Sequence, residues 1–201
     1  MNKKSLNIAV LSPHVGTMGD TLSLPMLARG LSDLGHSVDL LQSWKEWNHV
    51  GALGADSKIN IVSLKSRWFL PVLPNISRIS SWASYRVSMA ALFFALIPGL
   101  VWYLYREKPD VLIVRMVTGP IILIVKFFRP KVKVLVSSSG LPRHSRFRDT
   151  IWPFLYGKAD GFIVAAPGVA EMVSDISKIP VSDIAVLWEA VIDDEMVELA
   201  K

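Results

Sequence analysis

Short β-rich apolar runs recur along this chain at intervals that leave room for about one helix between neighbours, a rhythm few folds satisfy. The runs are Asn7–Leu11, Ser37–Leu41, Ile59–Leu64, Val111–Val114, Val132–Ser137, Gly161–Ala165 and Ile184–Leu187. Short apolar runs of this kind are expected of parallel strands buried on both faces. Between the first two, Leu24, Leu27, Ala28, Leu31 and Leu34 share one face at helical spacing, and Gly35 supplies a stop signal. A helix beginning at Asp20 then completes a strand–helix–strand unit, whose crossover is right-handed as a rule. Further helices are expected over Met89–Tyr105, Pro120–Phe128, Thr150–Tyr156 and Gly168–Ser177, the first of them interrupted at Pro98-Gly99. The stretch from Arg67 to Arg86, with Pro71, Pro74 and many serines, reads as irregular. The fold class this predicts is α/β, a doubly wound and mostly parallel sheet with helices on both faces.

The 201 residues suffice for a single domain with a sizeable core. A net charge of +5 allows nucleic acid, anionic lipid or phosphorylated ligands as partners without choosing among them. The chain has no cysteine, which excludes disulfides, thiolate catalysis and cysteine-based metal sites. Its four histidines, His14, His36, His49 and His144, lack metal-ligand spacing, so neither metal nor cofactor is expected. The first apolar stretch meets Pro13, His14 and glycines before any cleavage-like site; it reads as a strand rather than a signal peptide, which predicts a cytoplasmic domain. Ile184–Asp193 reads as a hinge, so the expected organisation is one domain over 1–201, with 184–201 leading toward a second domain that this chain does not include.

Ligands of such sheets bind beyond the carboxyl ends of the strands, which draws attention to Ser12–Asp20, Gln42–His49, Arg115–Gly119, Ser137–Arg148 and Ala165–Gly168. Gly16, Thr17 and Gly19 lie between the first strand and the first helix, where glycines let backbone N–H groups approach an anion. They form neither a dinucleotide fingerprint nor a Walker loop, and an ordinary turn capped by Asp20 is the simpler alternative. The segment after the fifth strand holds Ser139, Gly140, Arg143 and His144; arginine forks suit phosphate, and a solvated basic loop is the alternative. Arg115 directly follows the apolar run Val111–Val114, so it must find a ligand, a structural partner or water.

Met89–Tyr105 carries no charge, and a helix apolar all round needs a second dry neighbour besides its sheet. A bilayer, a partner protein or the second domain could supply it. The run falls short of the ~20 residues of a membrane span, and Lys65, Arg67, Arg78 and Arg86 are interleaved with aromatics upstream. Peripheral contact with an anionic membrane surface through Trp68, Trp82, Phe93, Phe94 and Trp102 is therefore expected. The same mixture could stack on single-stranded nucleic acid, but no nucleic-acid module accompanies it, and no nucleic-acid partner is expected.

Taken together, Asn7-Ile-Ala-Val-Leu-Ser-Pro13, the glycine loop, and Leu27-Ala-Arg-Gly-Leu-Ser-Asp-Leu-Gly-His-Ser-Val38 resemble the opening of the N-terminal domain of family-4 glycosyltransferases of the GT-B fold. Lys108-Pro-Asp-Val-Leu-Ile-Val-Arg115, Ala159-Asp-Gly-Phe-Ile-Val-Ala-Ala166 and Ile184–Asp193 are similar to later motifs of that family, in the same order. The chain departs from the pattern at Arg115, where many members carry His, at Ser139, where a His-Gly pair is frequent, and at Glu189-Ala190, which replaces Asn-Gly. The resemblance implies a Rossmann-like, acceptor-side lobe of an enzyme that moves a sugar, with retention, from a nucleotide diphosphate sugar to an acceptor. It implies that Gly16 and Gly19 line the cleft near the donor phosphates, and that Arg115 and the segment Ser137–His144 face acceptor or sugar. The donor-binding glutamates of the family belong to the other domain, and no metal is generally required. A lipid-linked or polysaccharide acceptor in envelope or capsule synthesis is the implied setting, at the inner face of the cell membrane. The alternative is a non-catalytic docking subunit that recruits a separate donor-binding chain.

Overall fold

The structure, a computed structural model, describes residues 5–13, 20–42, 47, 59–64, 81–115, 118–138 and 146–187, with backbone alone at 20–22, 81–89 and 146–149. Seven strands form one parallel sheet: β1 (Asn7–Leu11), β2 (Ser37–Gln42), β3 (Ile59–Ser63), β4 (Val111–Val114), β5 (Lys133–Ser138), β6 (Gly161–Val164) and β7 (Ile184–Val186). Their order is β3-β2-β1-β4-β5-β6-β7. The described helices are α1 (Asp20–Asp33), α2 (Ser81–Arg106), α3 (Thr118–Phe128), α4 (Arg146–Tyr156) and α5 (Pro167–Ser177). β1 is central, with Ile8 in register with Val38 on one side and Val111 on the other.

Because side chains alternate across a strand, the apolar runs supply two cores at once. Ile8, Val10, Val38, Leu40 and Ile113 meet Leu24 and Ala28 of α1 on one face, together with Trp47, whose indole N–H donates to the Leu41 carbonyl at 2.9 Å. Ala9, Leu11, Leu112, Val114, Val134 and Val136 face the other way, where Leu100, Tyr103, Ile121, Ile122, Tyr156 and Val169 from α2 to α5 cover them. The doubly wound arrangement read from the sequence is therefore the arrangement found.

Three local expectations need correction. α2 starts at Ser81, inside the stretch read as irregular, and runs through Pro98 without a break. Pro98 is exposed and forfeits one intrahelical hydrogen bond, a loss that packing against the sheet outweighs. The glycine beside it serves contact rather than interruption: a Cβ on Gly99 would lie 2.0 Å from the Leu64 carbonyl oxygen. Leu34, placed with the buried stripe of α1, is exposed, because the helix ends at Asp33 and Leu34 lies in the turn that follows. α2 is further pinned to the sheet by the Tyr103 hydroxyl, which donates to Asp39 Oδ2 at 2.6 Å, while Asn60 Nδ2 donates to Asp39 Oδ1 at 3.1 Å. Burial, then the hydrogen bond and the negative charge of Asp39, push the Tyr103 hydroxyl well above the usual tyrosine range.

Candidate functional site

The chain leaves β1 in one direction for β2 and β3 and in the other for β4 to β7. Connections on the two sides of such a reversal diverge, and the crevice between them at the carboxyl ends is where ligands of open α/β sheets bind. Arg115 occupies that position. Its backbone N–H donates to the Leu11 carbonyl at 2.9 Å, prolonging the β1–β4 ladder by one step. Val114 is in register with Val136, so the next residues of the two strands, Arg115 and Ser137, stand side by side. The guanidinium uses this: Nε and Nη2 donate to Ser137 Oγ at 3.3 and 2.9 Å. Nη1 donates to Ser23 Oγ of α1 at 2.9 Å.

All three side chains are buried, and Arg115 retains only 4% exposure. A cation so placed is costly unless its N–H groups are engaged, and these bonds fix the plane of the guanidinium between α1 and the ends of β4 and β5. Beside it opens a groove of about 480 Å³, lined by Met26, Leu27 and Leu31 of α1 and by Ile163 and Leu187 from the far strands. The arrangement sets an immobilised positive charge in the wall of an otherwise largely apolar groove. Chemically it suits a ligand with an anionic or hydroxyl-rich head and an apolar body.

Of the residues singled out in the sequence, Arg115 lies in the crevice. Gly16, Thr17 and Gly19, between β1 and α1, and Ser139, Gly140, Arg143 and His144, between β5 and α4, lie outside the described residues, as does Trp68. Trp82 falls within α2, in the part described by backbone alone. Phe93 turns inward and packs partly against the core, edge-on to Phe94 at 5.6 Å, whereas Phe94 and Trp102 are 65% and 54% exposed. Sequence reasoning missed Ser23: a serine inside an amphipathic helix carries no signal until the fold sets it against Arg115. Gln42, which opens the segment singled out after the second strand, lies at the carboxyl end of β2 with its side-chain oxygen buried and no hydrogen-bond partner among the described residues. Among the described residues no cluster of His, Cys, Asp or Glu could hold a metal ion, and no helix is long and apolar enough to cross a membrane.

No protein-family model matches the chain, and no curated protein matches it in sequence. Solved structures do. A glycosyltransferase from Rickettsia africae superimposes with a TM-score of 0.64 at 12% identity, over 98% of this chain and 49% of that one. A UDP-glucosyltransferase from Polygonum tinctorium, capable of glucosylating indoxyl, gives 0.61 at 11% identity, over 96% and 53%. HepE from Anabaena, solved with UDP and glucose, gives 0.55 at 10% identity, over 92% and 44%. The fold is thus the Rossmann-like α/β arrangement of GT-B glycosyltransferases. The likeness spreads over plant and bacterial proteins of that class and does not single out family 4. The chain spans about half the length of the structures it matches.

Proposed function

We propose that this chain is the acceptor-side lobe of a retaining GT-B glycosyltransferase that moves a sugar from a nucleotide diphosphate sugar to a lipid-linked or polysaccharide acceptor in cell-envelope synthesis. The observation that carries the reading is Arg115, seated at the β1–β4 reversal between Ser23 and Ser137 and opening onto an apolar groove. A lipid phosphate presents the two chemistries that this pairing accommodates, an anion for the guanidinium and hydrocarbon for the trough. The glycines at 16 and 19 and the segment from Ser139 to His144 complete the acceptor and donor-phosphate contacts in this reading. The nucleotide belongs to a counterpart lobe beyond the hinge at 184–201, in the same or a separate polypeptide. Cations and N–H groups of that lobe offset the charge that develops on the leaving diphosphate. The protein works peripherally at the inner face of the cell membrane, with the exposed stripe of α2 toward lipid.

The experiment is calorimetric titration of the chain with UDP and GDP, followed by transfer of labelled sugar from nucleotide sugars to extracted membrane lipids, with and without a donor-binding lobe. We expect no nucleotide binding by the chain alone, transfer when the lobe is supplied, and at least about tenfold loss on Arg115→Lys, which keeps charge but not the fork. Tight UDP binding by the chain alone, or transfer indifferent to Arg115→Lys, overturns the assignment. Binding to lipid and to a donor-binding chain without any transfer instead identifies a non-catalytic docking subunit.

A further inference from the structure

Away from the crevice, at the amino-terminal edge of the sheet, the carboxyl ends of α2, α3 and α4 gather a second surface, of which the sequence reading singled out Trp102 alone. Phe127 of α3 is 80% exposed and Phe154 of α4 63%, with Trp102 and Tyr105 of α2 also out in solvent. They are joined rather than scattered. The Tyr105 hydroxyl donates to the Phe128 carbonyl at 3.2 Å, and the Phe127 and Phe128 rings meet edge-on at 5.0 Å. A hollow of about 480 Å³ connects Phe127 and Phe128 with Lys158. A cation lies over three of the exposed rings: Arg106 over Trp102 at 4.7 Å, Arg129 over Tyr105 at 5.3 Å, and Lys158 over Phe154 at 4.8 Å. Cations at helix carboxyl ends complement the helix dipole, but that does not account for the exposed rings beneath them.

We infer that this corner, and not the α2 stripe alone, is the surface that docks onto an anionic bilayer, with Phe127 and Phe154 entering the acyl boundary and Arg129 and Lys158 meeting headgroup phosphates. The inference rests on the membrane-peripheral part of the function proposed above. Charge decides the occupant. Arg106 is paired with Glu107 at 3.0 Å, and the positive charge of Arg129 and Lys158 then repels a second copy of itself across a symmetric contact but matches phosphate headgroups. A counterpart lobe closing on the crevice would approach the opposite edge.

The test is co-sedimentation of the full chain with phosphatidylglycerol vesicles and with phosphatidylcholine vesicles, alongside sedimentation velocity without lipid. We expect binding to the anionic vesicles only. Phe127→Ser/Phe154→Ser should lower the bound fraction at least about tenfold with an unchanged circular dichroism spectrum, and Phe94→Ser much less. Lys158→Glu, which leaves the rings in place, should weaken binding in the same direction. Anionic binding that survives the double substitution overturns the inference and leaves the membrane reading standing. If the wild type ignores both vesicles, the membrane reading falls as well. Self-association abolished by Phe127→Ser/Phe154→Ser, without lipid binding, shows the patch to be a protein interface and overturns the inference.

Discussion

Gly99 sits where α2 presses against Leu64 at the end of β3, and the contact there is with backbone, which cannot rotate aside. Gly99→Ala must push the helix off Leu64 or bend it, and we expect a loss of about 1–3 kcal/mol, the range for overpacked sites, measurable by urea unfolding. Asp160 makes a different kind of bond. Its carboxylate accepts from Lys126, from Lys133 at 3.0 Å and from the Val134 amide at 2.8 Å, tying the start of β6 to α3 and β5. Burial alone would raise this carboxyl; the hydrogen bonds from Lys126, Val134 and Lys133 overcome that and hold it below the usual aspartate range. A carboxyl lowered in the folded state stabilises it above the unfolded value, near ~3.9, and that stability drains away as pH falls through the folded value. Asp160→Asn should therefore be less stable than wild type at neutral pH, and the gap between the two should narrow on acidification. Stability curves between neutral and acid pH check this.

At the scale of elements, the sequence located the strands because buried parallel strands must be apolar, and that demand leaves a mark on every one of them. The helices were less legible where tertiary contact overrode local rules. Pro98-Gly99 spells interruption by propensity, yet the helix continues because its inner face is seated on β3 and on Asp39 through Tyr103. Ser81 to Arg86 looked irregular beside the prolines upstream, and only the docked helix draws them in. The site was half visible: Arg115 stood out as a charge at the end of an apolar strand, while Ser23 could be found only once α1 lay across β4. That bridge also ties α1 to the far half of the sheet. Arg115→Ala leaves two buried hydroxyls without their donors, and we expect faster amide hydrogen exchange in α1 and at the end of β5, with β2 unaffected.

For the molecule as a whole, α2 is the segment on which topology depends, because it carries the chain from β3 across β2 and β1 to β4. Long-range parallel pairing of that kind is slow to form. Tyr103→Phe, which strands Asp39 without its shortest hydrogen bond, should speed unfolding more than it slows refolding if α2 docks late, a partition that stopped-flow chevrons resolve. The aromatic corner and the arginine crevice sit at opposite edges of one sheet whose described strands are 3 to 6 residues long. At about 3.3 Å per residue, that thickness is roughly 10–20 Å. If the chain rests on lipid by that corner, its crevice stands about that far above the headgroups, and a lipid phosphate must be lifted out of the leaflet to meet Arg115.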